Sequence, residues 1–258
     1  MATKIHPTAI IDGGAEIGDG VEIGPYCVIG AGVQIGSGSW LQGHVMVCGP
    51  TVLGSGNRVF AYASIGQQTQ DLKYAGEPTY LEVGDGNTFR EFVTVNRGTA
   101  PGSKTVIGSR GNFLAYSHIA HDCVVGDDVI FSNNGTIAGH VTVGNHVVLG
   151  GFTAVHQFCR IGDFAITGGC SKVVKDVPPF FLADGNPAQI RGINAVGLER
   201  NGFSAEDVRG IKEAYRILYR GKLTQKEALD QLDLAFGKES VVGRLADFVR
   251  ESVRGITG

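Results

Sequence analysis

Residues 5–36 read IHPTAI IDGGAE IGDGVE IGPYCV IGAGVQ IG, and every sixth position from Ile5 to Ile35 is isoleucine. The step continues through Leu41, Val47, Leu53, Val59 and Ile65 as far as Val173, and 25 of its 29 positions hold Ile, Leu, Val or Phe. The exceptions are Asp71, Glu77, Pro101 and Thr167. Helix side chains repeat about every 3.6 residues and strand side chains every 2, so neither element produces a period of six. One large apolar residue per six, with three faces to a coil, is the pattern of a parallel β-helix.

Two further registers support that fold. Glycine follows the aliphatic residue at 18, 24, 30, 36, 54, 66, 84, 108, 126, 144, 150, 162 and 168, where a tight corner needs a residue free of the steric restriction that a Cβ imposes on the backbone. Four places past the aliphatic residue stand small or β-branched groups, among them Ala9, Val21, Cys27, Ala63, Cys123, Val147 and Cys159. They are expected to fill a narrow prism beside the large residues, which makes these cysteines core residues rather than reactive thiols. About nine coils at about 4.8 Å spacing predict a prism about 45 Å tall. The pattern itself leaves the hand of the coil open.

The bulk properties narrow the function. The 258 residues carry a net charge of −3 and only 18% charged residues, which gives no support to nucleic-acid binding. No apolar run is long enough for a stable membrane insertion. The start, MATKIHPTAI, lacks the basic-then-apolar character of a signal peptide, and five cysteines without a CxxC pair fit a reduced compartment. The expectation is a cytoplasmic protein.

The repeat breaks twice, at 67–80 (QQTQDLKYAGEPTY) and at 99–104 (TAPGSK), and returns in phase each time. Both segments are expected to be loops thrown out from corners, the usual carriers of function on a rigid scaffold. The β-helix is assigned to 1–188 and a C-terminal helical domain to 189–258. Ser204 and Asp207 form a capping pair ahead of an apolar stripe at Val208, Ile211, Tyr215 and Leu218. Further helices are expected near 224–236 and 239–254. From residue 190 the tail holds 12 Lys+Arg against 10 Asp+Glu, so the prism is the acidic part.

Residues 18 apart in an uninterrupted stretch lie one above another on adjacent coils. His121, Gly139 and Gln157 form such a column; His140 and His156 flank it, and His118 lies one corner before. Surface histidines hydrogen-bonding along the ladder are one reading. A metal site is a second, disfavoured because Gln157 stands two coils above His121 and His156 faces elsewhere. Acyl transfer is the third: His121 as general base removes a hydroxyl proton, and the Gly139 N–H stabilises the oxyanion. Asp122 is a candidate to orient the imidazole, although adjacent strand residues ordinarily face opposite ways.

QDLKYAGEPT (70–79), RGT (97–99), HIAHDC (118–123), AGHV (138–141), TAVHQFC (153–159) and RNGF (200–203) resemble the UDP-N-acetylglucosamine acyltransferases of lipid A biosynthesis, in order and over nearly the whole chain. The resemblance implies a left-handed coil and a cytoplasmic homotrimer with sites between neighbouring prisms. It implies transfer of an (R)-3-hydroxyacyl chain from acyl carrier protein to the glucosamine 3-position of UDP-N-acetylglucosamine, with no cofactor and no metal. His121 is then the base and Gly139 the oxyanion donor. Gln70, Asp71, Lys73, His118, His140, His156 and Gln157 contact the sugar, Asn194 and Arg200 hold the uridine diphosphate, and Gly169 sets acyl length. A guanidinium suits phosphate on its own chemistry.

Three positions depart from the family pattern: Val196 replaces an acidic residue, Asn201 an arginine and Asn96 a histidine. Alternatives are the sister enzyme that N-acylates an acylated UDP-glucosamine, a 3-amino acceptor, a coenzyme A-dependent acetyltransferase, and a non-catalytic scaffold or ice-binding prism. The first tail helix carries Lys212, Arg216 and Arg220 at four-residue steps, a basic stripe suited to steering an acidic carrier protein.

Overall fold

The computed structural model describes residues 2–258. These residues form 28 strands, β1 (Lys4–Ile5) to β28 (Ala188–Ile193), and four helices. Sheet A begins with β1 and takes every third strand after it; sheets B and C begin with β2 (Ile10–Ile11) and β3 (Glu16–Ile17) in the same way. The strands pair in parallel with the next coil, Ile5 with Ile23, Ile11 with Ile29 and Ile17 with Ile35. The three-faced prism expected from the repeat is therefore what forms.

The six-residue series fills its interior. Ile23, Ile29, Leu41, Ile65, Ile119 and Ile137 are buried, and Phe89 and Phe113 stack at 5.0 Å with Phe131 edge-on above them. At the N-terminal end the prism is open, and Ile5 is 48% exposed. Cys27, Cys123 and Cys159 pack inside. Burial pushes the Cys123 thiol up to about 12 and that of Cys159 up to about 11, so both remain protonated core groups.

The glycines at the corners are explained by the next coil rather than by their own dihedrals. A Cβ on Gly24 would lie 1.5 Å from the carbonyl oxygen of Gln42. The left-handed residue of each corner stands two places later and is mostly not glycine: sixteen non-glycine residues have positive φ, beginning with Tyr26 at 56°. On the edge between sheets A and B, stacking of the side chains offsets part of that backbone cost. Tyr26, His44, Tyr62, Phe92 and Tyr116 form a continuous pile of rings 4.9 to 5.1 Å apart.

Both interruptions leave from the B–C edge. Residues 68–79 join β11 (Ser64–Gln67) to β12 (Tyr80–Val83), and residues 97–103 join β14 (Thr94–Asn96) to β15 (Lys104–Ile107). Leu81 pairs with Thr51 and Thr105 with Leu81, so the extra chain is a whole multiple of six each time. The C–A edge is knitted by side chains. Asp85, Asp127, Asn145 and Asp163 each accept the N–H of the corner residue one coil below, at 2.6 to 2.8 Å. Just inside, buried Asn87 bonds Gly84 O, Gly108 O and the Gly111 N–H.

The prism closes with a feature the repeat does not announce. β27 (Phe181–Gly185) adds in parallel to sheet A, and β28 returns antiparallel to it. The division placed at 188/189 thus falls at the start of the returning strand. A short helix α1 (Ala195–Arg200) follows, then α2 (Ala205–Tyr219), α3 (Gln225–Phe236) and α4 (Val241–Arg250). Ser204 and Asp207 make the expected capping box on α2, and Ile211, Ala214 and Ile217 are its buried face. No helix among the described residues is long and apolar enough to cross a membrane.

Candidate active site

His121 stands at the B–C edge, in the corner between β17 (His118–Ile119) and β18 (Val124–Val125). Its neighbour Asp122 is the left-handed residue of that corner, with φ 58°. The turn cancels the alternation of a flat strand, and both side chains come to the same side: His121 Nδ1 lies 2.8 Å from Asp122 Oδ2. That contact leaves Nε2 as the free nitrogen of the base.

Burial alone would raise the Asp122 carboxyl, but the facing Ser103 hydroxyl, His121 and the Thr99 N–H outweigh it. With His140 nearby, they hold it below the ordinary carboxylate range. The Thr99 N–H donates to Asp122 Oδ2 at 3.1 Å. His140 Nε2 is 3.8 Å from the same oxygen, and its ring meets that of His121 edge-on at 5.2 Å.

Gly139 lies directly above the imidazole. A Cβ there would sit 2.5 Å from His121 Nε2 and 2.4 Å from Cε1, so the histidine ring itself excludes any side chain at 139. The left-handed residue of this corner is His140, φ 59°, so the dihedral of 139 is not the reason for glycine. The Gly139 N–H donates to no group among the described residues. The sequence column continues as read: the His140 N–H bonds the His121 carbonyl, and the Phe158 N–H bonds that of Gly139.

His118 joins the group from β17, with Nδ1 2.7 Å from Thr94 Oγ1. Burial, then the neighbouring His121, lowers its pKa and favours the neutral ring. His156 and Gln157 stand exposed two coils above His121, where His156 Nδ1 contacts Gln157 O and Arg254. Gln70, Asp71 and Lys73 lie on the 68–79 loop, which leaves the same edge two coils below His121. The loop encloses a cleft of about 500 Å³ lined by Gln67, Gln68, Gln70, Asp71, Tyr74 and Asn96. A larger cavity, about 730 Å³, lies elsewhere, between α2 and the α3–α4 connection, with Lys212 and Arg216 on its wall.

Donor atoms of His121, Asp122 and His140 approach within 4.8 Å, a spacing that suits a cation. Yet His121 Nδ1 and Asp122 Oδ2 point at each other in a hydrogen bond and would have to part to share an ion. The geometry favours a base with its orienting carboxylate.

Other expected site residues lie on different edges. Asn194 is at the C–A edge, where its amide donates to Phe164 O at 2.9 Å and its oxygen caps α1 at the Gly197 N–H. Arg200 is exposed at the end of α1. Gly169 is exposed on the A–B edge, and a Cβ there would meet only Gly151 O, at 3.5 Å.

Comparison with known proteins settles the family. The acyl-[acyl-carrier-protein]–UDP-N-acetylglucosamine O-acyltransferase of Thiobacillus denitrificans is 51% identical over 257 residues, spanning 99% of both chains. That of Halorhodospira halophila is 50% identical over 255 residues, spanning 98% of this chain and 99% of its own. The chain belongs to this O-acyltransferase family. A family model described as UDP N-acetylglucosamine O-acyltransferase, domain 2, matches residues 176–257, and one for bacterial transferase hexapeptides matches 2–37.

Solved family structures superpose along the whole chain. The Moraxella catarrhalis enzyme has a TM-score of 0.94 at 47% identity, covering 98% of this chain and 99% of its own. The Bacteroides fragilis enzyme has 0.96 at 36%, covering 98% and 100%. The fold is the family's left-handed parallel β-helix with a C-terminal helical domain. These relatives lend the N-acylating alternative no support.

The departures from the family pattern can also be placed. Val196 is 59% exposed on α1, and Asn201 caps that helix through Gly197 O at 2.8 Å. Asn96 is buried and donates to Gln68 O at 2.9 Å, which ties down the root of the first loop. Thr69, Thr99 and Arg97 also border the site, and in residue order only the RGT motif at 97–99 signals the latter two.

Proposed function

We propose that the chain transfers an (R)-3-hydroxyacyl group from acyl carrier protein to the 3-hydroxyl of the glucosamine in UDP-N-acetylglucosamine, in lipid A biosynthesis. The observation that carries the mechanism is the stack of Asp122, His121 and Gly139. Asp122 holds Nδ1–H, so Nε2 accepts the proton of the sugar 3-hydroxyl while that oxygen attacks the thioester carbonyl. The negative charge that develops on the carbonyl oxygen is met by the Gly139 N–H. The tetrahedral intermediate collapses by expelling the carrier thiolate, which takes the proton back from Nε2. No step needs a cofactor or a covalent enzyme intermediate.

In this reading Gln70, Asp71 and Lys73 on the loop, with His118, His140, His156 and Gln157 on the coils, contact the sugar. Asn194 and Arg200 hold the uridine diphosphate, and Gly169 limits acyl length. A single chain displays these groups on three different edges, which supports a homotrimer whose sites form between neighbouring prisms. Lys212, Arg216 and Arg220 lie exposed along α2, and this supports docking of the acidic carrier there. The reaction so described is placed in the cytoplasm. Incubation with UDP-N-acetylglucosamine and a set of 3-hydroxyacyl carrier proteins, with the product identified by mass, tests the reading. Absence of transfer from every donor overturns it.

A further inference from the structure

The two loops on the B–C edge are joined to each other and to the catalytic pair by a continuous line of hydrogen bonds. It begins in the first loop, where the Lys73 N–H donates to Asp71 Oδ1 at 2.9 Å and the Asp71 N–H to Thr69 Oγ1 at 3.0 Å. Thr99 Oγ1, in the second loop, donates to that same Thr69 oxygen at 2.8 Å. The Thr99 N–H then donates to the Asp122 carboxylate, whose Oδ2 faces His121 Nδ1. Thr69 is 5% exposed, so its pairing with Thr99 is shielded from competing water.

The register that brings Thr69 to Thr99 is itself built. Three successive carbonyls at the root of the first loop are held by the second coil: Gly66 O by Arg97 Nη1, Gln67 O by the Arg97 N–H and Gln68 O by Asn96 Nδ2. Arg97 is 9% exposed and its second contact, at 2.7 Å, is to Gly49 O. Nothing in the hexapeptide pattern requires these bonds. They fix one loop upon the other and both upon Asp122.

We propose that Thr99 is a positioning residue that couples the sugar-contacting loop to the base, with Thr69 as its partner. The proposal rests on the acyl-transfer reading above. When Thr69 and Thr99 are paired, the Thr99 N–H is held on Asp122 and draws part of the carboxylate charge away from His121. If the pairing is lost, the N–H retreats and Asp122 stabilises the His121 imidazolium more strongly, so the base protonates at a higher pH. The other titratable groups facing the pair are His140 from the coil above, His118 on the preceding strand and the protonated Cys123 thiol.

The experiment compares wild type, Thr99→Val, Thr99→Ser, Thr69→Val and the Thr69→Val/Thr99→Val double variant in pH profiles of kcat/KM for UDP-N-acetylglucosamine, with melting temperatures alongside. Thr99→Val is expected to lose roughly tenfold in kcat/KM and to move the acid limb up by about half a pH unit, while Thr99→Ser stays near wild type. The two valine changes should be largely non-additive, because both remove the Thr69–Thr99 contact; Thr69→Val loses the Asp71 N–H bond as well. Wild-type behaviour of Thr99→Val, equal damage by the serine variant, or additive effects would each overturn the proposal. If Thr99→Val does not fold, Thr69→Val carries the same expectations from the other side of the bond. Failure of the wild type to transfer acyl groups would instead sink the acyl-transfer reading.

Discussion

The C–A and B–C edges of this prism are made from the same six-residue unit and do opposite things with their backbone. On the C–A edge, the corner N–H groups of Ser55, Asp85, Ser109, Asp127 and Asn145 are taken by an Asp, Asn or Ser from the coil above. On the B–C edge the N–H groups of His121, Gly139 and Gln157 meet no acceptor among the described residues. Here the side chains are histidine, aspartate and glycine, and both loops leave from this edge. A satisfied edge contributes stability; an edge with free donors beside a base offers them to a reacting carbonyl.

Variants on the two edges should separate activity from stability. His121→Ala is expected to lower turnover roughly a thousandfold or more with an unchanged melting temperature, as removal of a general base does; undiminished transfer would break the assignment. Gly139→Ala drives a methyl into the His121 ring and should cost roughly a hundredfold in kcat. Gly126→Ala, a corner glycine on the C–A edge, presses 2.8 Å against Gly144 C and should cost about 1–3 kcal/mol of stability, with the activity of the folded fraction kept. If both variants lose the same property, the contrast between the edges fails. Asn87→Ala orphans the buried Gly111 N–H and the Gly108 carbonyl, while Gly84 O keeps Asn57 Nδ2, and chemical denaturation should show a loss of about 2 kcal/mol.

Smaller effects sharpen the picture. The Asp122 carboxyl titrates below its ordinary range, so it is ionised wherever His121 works as a base. Its negative charge favours the imidazolium. Asp122→Asn should therefore move the acid limb of kcat/KM to lower pH while reducing kcat roughly tenfold; a limb that moves upward contradicts the arrangement. Gly169→Met has open space on the A–B edge and should leave stability unchanged. Its expected effect is a few-fold shift of preference toward shorter acyl donors in competition assays, and unchanged selectivity removes 169 from the acyl groove.

Much of this could be read from residue order. In a coil of constant length, position along the chain maps onto position in space, so spacing alone stacked His121 beneath Gly139. The same logic made each interruption a whole number of repeats, because each returns in phase, and the structure put both on one edge. Where the period stops, the logic stops with it. The β27–β28 hairpin and α1 follow no repeat, and the staple of Arg97 and Asn96 on Gly66, Gln67 and Gln68 joins loops whose paths no spacing rule describes.

The sequence by itself determined the parallel prism, its core, its two loops and the histidine column, since a six-residue period turns one large apolar residue of every repeat into a shared interior, buried from Ile23 to Val173. Only the tertiary structure decided that Asp122 faces His121, because a left-handed corner reverses the alternation expected of neighbours on a strand. It also decided that Gly139 is glycine for the sake of the imidazole beneath it. And it decided that Thr99 reaches both Thr69 on the first loop and the Asp122 carboxylate. Each of these depends on how a few side chains meet across coils, which is a matter of angstroms that no period encodes.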